Sequence, residues 1–79
     1  MRARVAISFR DGVLDPEAVA IERSLKGLGF HTVTGVRRTK LLELDLAETD
    51  RAAAEAQVRD MCDKLLANPV IESYRVEIV

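Results

Sequence analysis

The sequence predicts an α+β fold, a two-layer sandwich in β-α-β-α-β order with a small antiparallel sheet and two helices on one face. Three observations carry this reading. Residues 2–10 alternate apolar and polar with a period of two. Asp15-Pro16 and Thr49-Asp50 are helix-start signals, each followed by apolar residues at helical spacing. At Asn68-Pro69 a helical pattern stops and an alternating one begins. Proline lacks the N–H a helix needs and pushes its predecessor out of the α region, so this short stretch ends a helix and launches the last strand. Two helices on one face leave the other sheet face open, and an open apolar face commonly becomes a dimer interface.

In the first strand Ala3, Val5, Ile7 and Phe9 form an apolar face, and Arg2, Arg4 and Arg10 lie on the other. Asp11-Gly12 ends the strand. The first helix starts at Asp15-Pro16-Glu17: Asp15 can cap free N–H groups, Pro16 suits the first helical position, and Glu17 favours the positive end of the helix dipole. Leu14 and Val19 are spaced for a hydrophobic staple. Ala18, Ile21, Leu25 and Leu28 form the apolar stripe, and Gly29 is the left-handed stop.

From Thr32 to Ala47 the pattern is extended, but its phase slips near Gly35. Past the slip, Arg38 and Lys40 share a face with Leu42, Leu44 and Leu46. Two cations cannot sit unpaired in a core. The first half of this strand therefore runs beyond its own helices or meets another chain's carboxylates. One long, bent strand is the favoured reading, and a hairpin near Arg38-Thr39-Lys40 dividing two strands is the alternative. In the second helix Val58, Met61, Cys62 and Leu65 form the expected buried stripe, with Leu66 at its edge. Glu55 with Arg59 and Asp60 with Lys64 mark a solvated face. Tyr74, Val76 and Ile78 alternate with Ser73, Arg75 and Glu77 in the last strand.

The 79 residues make one domain, 1–79, with a core so small that burial by a partner is expected. Twelve basic and thirteen acidic residues give a net charge of −1, which argues against a nucleic-acid or anionic-membrane binder. No apolar run approaches the ~20 residues that span a bilayer, and the N-terminus enters a strand pattern and not a signal-peptide core. A cytoplasmic location is expected. Cys62 is the only cysteine, so an internal disulfide is ruled out.

No catalytic, cofactor-binding or metal-binding set is visible. His31 stands alone, Cys62 reads as a buried structural thiol, and Ser8, Ser24 and Ser73 have no nucleophile-elbow context. Turn and cap roles account for Asp11 and Asp15. The feature left over is Arg37-Arg38-Thr39-Lys40, three cations in four residues. Its plain reading is a solvated strand end, and its functional one is a surface for a partner or an anion. Val36, Arg37, Arg38, Lys40 and Leu42 are the candidate interface residues.

Three blocks of residues resemble a known family: Gly12-Val13-Leu14-Asp15-Pro16; Val36-Arg37 with Lys40 and Glu43-Leu44; and Met61-Cys62 with Lys64-Leu65-Leu66-Ala67-Asn68-Pro69-Val70-Ile71-Glu72 and Tyr74. In order and spacing they resemble PurS, the small subunit of phosphoribosylformylglycinamidine (FGAM) synthase. Thr39 departs from the family pattern by standing where a glycine is usual; a β-branched residue disfavours positive φ and supports a continuous strand. The resemblance implies a non-catalytic bridging subunit of purine biosynthesis. It would form a homodimer or tetramer and join a synthetase (PurL-type) subunit to a glutaminase (PurQ-type) subunit, so that ammonia from glutamine reaches formylglycinamide ribonucleotide. ATP, Mg2+ and glutamine would be used by the complex, with no cofactor bound by this chain. A dimeric regulatory domain sensing a small molecule is the alternative reading, and an independent enzyme is the least supported.

Overall fold

The computed structural model describes all 79 residues, Met1–Val79. Its elements are β1 (Arg2–Phe9), α1 (Pro16–Gly27), β2 (Thr39–Asp45), α2 (Arg51–Met61), a π-helical turn (Cys62–Leu66) and β3 (Glu72–Ile78). The three strands form an antiparallel sheet in the order β2-β1-β3, in agreement with the expected class.

β1 is central, and its period of two decides both faces of the sheet. Side chains directly opposite across antiparallel strands share a face. On one face Ile7 lies between Lys40 and Tyr74, Val5 between Leu42 and Val76, and Ala3 between Leu44 and Ile78. α2 packs on this face, over β1 and β3. Ala3, Val5, Ile7, Ala54, Val58, Cys62, Ala67 and Ile78 form the core there. On the other face Ser8 lies between Thr39 and Ser73, Ala6 between Leu41 and Arg75, and Arg4 between Glu43 and Glu77. The uncovered face is thus mainly polar, not the open apolar surface expected. Its Arg2 is paired with Glu43 at 3.4 Å and Asp45 at 3.2 Å.

The end of α2 departs from the regular helical reading in a specific way. Ala54, Val58 and Cys62 are buried at intervals of four, and the next buried residue is Ala67, five further on. The Ala67 N–H donates to the Cys62 carbonyl at 3.0 Å, the i→i−5 bond of a π-turn. That extra residue rotates Leu65 out of the core, leaving it 83% exposed, and Met61 is also exposed. Leu65 and Met61 are therefore not in the buried stripe that ordinary helical spacing predicts. Asn68 then organises the exit. Its carbonyl accepts from the Glu72 N–H at 2.8 Å, its side chain accepts from the Val70 N–H at 3.0 Å, and its N–H donates to the Glu72 carboxylate at 2.7 Å.

α1 forms as predicted but packs differently. Asp15 caps it, accepting from the N–H groups of Glu17 and Ala18 at 3.1 and 3.3 Å. Gly29, at φ +101°, closes its far end: its N–H donates to the Lys26 carbonyl and that of Phe30 to Leu25, both at 3.0 Å. Unlike α2, the helix does not lie over the sheet. The molecule measures 50 × 24 × 14 Å, with a radius of gyration of 16.1 Å. A compact chain of this length would have about 12 Å. α1 and the segment returning from it form an arm projecting from one end of the sheet. Leu14, the expected staple partner of Val19, is exposed.

The middle strand is single and shorter than its sequence pattern. It starts at Thr39, opposite Ser8, and residues 33–38 belong to no ladder. β1 ends one residue later; the Arg10 N–H continues the β1–β3 pattern by donating to the Ile71 carbonyl at 2.8 Å, and the chain then turns at Asp11-Gly12. The chain therefore offers residues 33–38 no strand to pair with. The expectation of one long strand fails for that reason, and the hairpin alternative fails because no second strand precedes Thr39.

Replacing buried Ile7 by alanine is expected to lower the unfolding free energy by about 2–5 kcal/mol. Leu65→Ala should change it by less than about 0.5 kcal/mol. Urea unfolding at fixed protein concentration checks the contrast, and a large loss at Leu65 would restore the regular-helix packing.

Candidate interaction surface

At the base of the arm, Arg38 holds the start of α1. Its Nε and Nη2 donate to the two carboxylate oxygens of Asp15 at 3.0 and 2.9 Å, and its Nη1 donates to Glu17 at 2.6 Å. This forked geometry matches a planar guanidinium to a carboxylate. Asp15 performs two tasks, since the same side chain caps α1. Its side chain is 11% exposed, against 75% for Glu17. The hydrogen bonds from Arg38 hold the Asp15 carboxyl below the usual carboxylate value, and the same contact raises Arg38. The inward cation of the sequence pattern thus meets carboxylates of its own chain. Sequence reasoning assigned Asp15 to the cap alone; a second acid two residues on was the available signal.

The other candidate residues surround this clasp. Val36 is half-buried and, with Arg37, Thr39 and Phe9, lines a shallow concavity of about 670 Å³ between the arm and the sheet end. Arg37 and Lys40 are exposed and make no ion pair. Lys40 faces the α2 side beside Ile7, where the strand has run past the helix. Leu42 is half-buried at the core's edge. All five candidates therefore lie at the β2 side of the molecule or at the arm's base.

Apolar surface is left uncovered in two matching places. α2 covers β1 and β3, so the β2 side of the same face, with Leu42, Leu44 and Leu46 half-buried, has no helix above it. α1, meanwhile, presents Ile21, Leu25 and Leu28 with no sheet beneath it, and Leu28 is 74% exposed. A helix lacking a sheet and a sheet lacking a helix sit in one chain that cannot bring them together.

No cluster of three or more His, Cys, Asp or Glu residues could hold a metal ion. His31 is exposed in the turn after Gly29. Cys62 is buried in the core, and burial pushes its thiol above its ordinary value, away from the reactive thiolate. Tyr74 donates its hydroxyl to Asp63 at 2.9 Å, and that bond raises the phenol. No helix is long and apolar enough to cross a membrane.

Fold and surface together define a small α+β protein whose exposed apolar elements are shaped for other chains. The family model of PurS, described as phosphoribosylformylglycinamidine (FGAM) synthase, matches residues 2–79. The chain belongs to the PurS family. It is 45% identical to phosphoribosylformylglycinamidine synthase subunit PurS of Synechocystis over 75 residues, covering 95% of this chain and 75% of that one. The corresponding subunit of Archaeoglobus fulgidus is 42% identical over 76 residues, covering 96% and 95%. Among solved structures, Methanocaldococcus jannaschii PurS superposes with a TM-score of 0.88 at 39% identity, over 96% of this chain and 92% of that one. A chain of the Thermotoga maritima PurLQS structure gives 0.76 at 30% identity, over 100% and 99%.

The clasp sets a pH signature. Asp15 is held low in the folded chain and titrates at its ordinary 3.8 when unfolded. Its contribution is therefore fully present above that value and is lost as pH falls through the folded pKa. The stability difference between the parent and Arg38→Gln should stay constant from neutrality down to 3.8 and shrink only below it. Chemical unfolding at a series of pH values measures this, and a difference that faded well above 3.8 would exclude Asp15 as the group.

Proposed function

We propose that this chain is the non-catalytic bridging subunit of an FGAM synthase, with residues 1–79 forming one domain that acts in purine biosynthesis in the cytoplasm. One observation carries the reading. A chain of the Thermotoga maritima PurLQS structure matches this chain from end to end, and that structure's name joins an S subunit to L and Q subunits. The Methanocaldococcus jannaschii relative is described as one of the subunits of formylglycinamide ribonucleotide amidotransferase in the purine biosynthetic pathway. On this reading the synthetase and glutaminase subunits perform the chemistry with ATP, Mg2+ and glutamine. This chain holds them so that ammonia passes between them.

The first partner is a second copy of the chain. The apolar stripe of α1 fits the vacant place over β2, beside α2, and a two-fold arrangement would fill both vacancies at once. Val36, Arg37, Arg38, Lys40 and Leu42 lie along the seam this creates. The small-molecule sensor is the less favoured reading, since PurS subunits are the relatives found at 32–45% identity.

With the two partner subunits present, omitting this chain should abolish glutamine-dependent formation of the amidine and largely spare turnover with added ammonia. Assays with each nitrogen source check this, and an unchanged glutamine-dependent rate would refute the bridging role. Separately, Leu25→Glu should convert the free protein to a monomer in light scattering, because a carboxylate cannot be buried unpaired against β2. An unchanged mass would remove α1 from the interface.

A further inference from the structure

We propose that the Asp15–Arg38–Glu17 cluster is an ionic clasp that aims α1, so that a contact within one chain governs how well two chains assemble. The proposal deepens the reading of α1 as the part that docks on a second copy.

The geometry of the arm requires such a device. α1 is 12 residues long, about 18 Å of helix, and the segment after Gly29 must return that distance to reach β2. The two ends of this excursion are Asp15 and Arg38, 23 residues apart in sequence and 2.9 Å apart in space. Arg38 precedes Thr39, whose position is fixed by the ladder opposite Ser8. Its backbone is therefore anchored to the sheet, and its guanidinium grips the first turn of the helix. Without that grip, α1 is attached at its start by residues 10–15, which include the turn at Gly12 with φ +85°.

Packing holds the helix only at its first turn, where Ala18 is its one buried residue. The ion pairs from Arg38 are the only ones that join α1 or its cap to another part of the chain; Lys26 with Glu22 is internal to the helix. α1 has no sheet under it to fix its direction by packing. A helix free to swing would have to be ordered when the second copy binds, and that ordering opposes association. A clasp formed in advance removes the cost before the chains meet.

Asp15 also caps α1, so the test must separate aiming from capping. Asparagine caps a helix as well as aspartate but lacks the charge that holds Arg38. Asp15→Asn and Arg38→Gln should leave helix content unchanged by circular dichroism. Each should raise the self-dissociation constant about tenfold in low salt, the scale of one lost charge-assisted hydrogen bond. In 1 M salt, where screening acts over about 3 Å, the parent should weaken towards the variants. Dissociation constants equal to the parent's, or the same salt response in parent and variants, would overturn the clasp.

Residual dipolar couplings on the full chain at monomeric concentrations provide a readout that does not depend on association. In the parent, α1 and the sheet should fit one alignment tensor. In Asp15→Asn, α1 should fit its own tensor and no longer the sheet's. One shared tensor in Asp15→Asn, as in the parent, would overturn the proposal. A parent that stays monomeric at every concentration would defeat the second-copy reading, and the couplings would then decide the clasp alone.

Discussion

The structure depends on the length of β1. This strand pairs on both sides, with β2 and with β3, and eight residues of it are available. Where it stops, every other element is forced to a decision. β2 can have no ladder before Thr39, because β1 ends at Phe9 and the chain turns at Asp11-Gly12. β3 begins at Glu72, opposite Phe9. The chain leaves the sheet at that same end to build α1. A longer central strand would have extended the sheet under the arm, and a shorter one would have removed the row on which Ile7 packs.

The core that β1 supports is small. Nine residues are buried, and eight of them form one cluster beneath α2. The π-turn after α2 makes that cluster possible. The extra residue brings a small side chain, Ala67, into the space where the helix closes on the sheet, and it sends Leu65 into solvent. A core of this size covers β1 and β3 but not β2. The missing layer and the projecting helix are two sides of one shortage, which a second chain can make good. The polar face on the other side of the sheet, with Arg2 already paired to Glu43 and Asp45, has no comparable need. Leu41 is the exception there, at 59% exposed.

This division also decides what the polar side chains do. The side chains that usually signal chemistry are engaged in structure: Cys62 in the core, Tyr74 on Asp63, Asp15 on the helix cap and Arg38. What remains free is apolar surface on α1 and β2, with Arg37 and Lys40 beside it. Those are the properties of a part that positions others, and they agree with membership of a family of synthase subunits.

By itself the sequence determined whatever depends on neighbours along the chain. Alternation in residues 2–9, the cap at Asp15-Pro16, the stop at Gly29 and the turn at Asn68-Pro69 are local, and each is written in a few adjacent residues. The family was legible too, because its blocks are contiguous. The tertiary structure alone decided what depends on distance. The alternation from Thr32 onward read as a long strand because a strand pattern does not say whether a partner strand is present. Leu65 read as buried because ordinary helical spacing has no place for one inserted residue. Arg38 read as an interface cation because the acids that meet it lie more than twenty residues earlier. In each case the deciding contact joins segments that chain order keeps apart, and only folding brings them together.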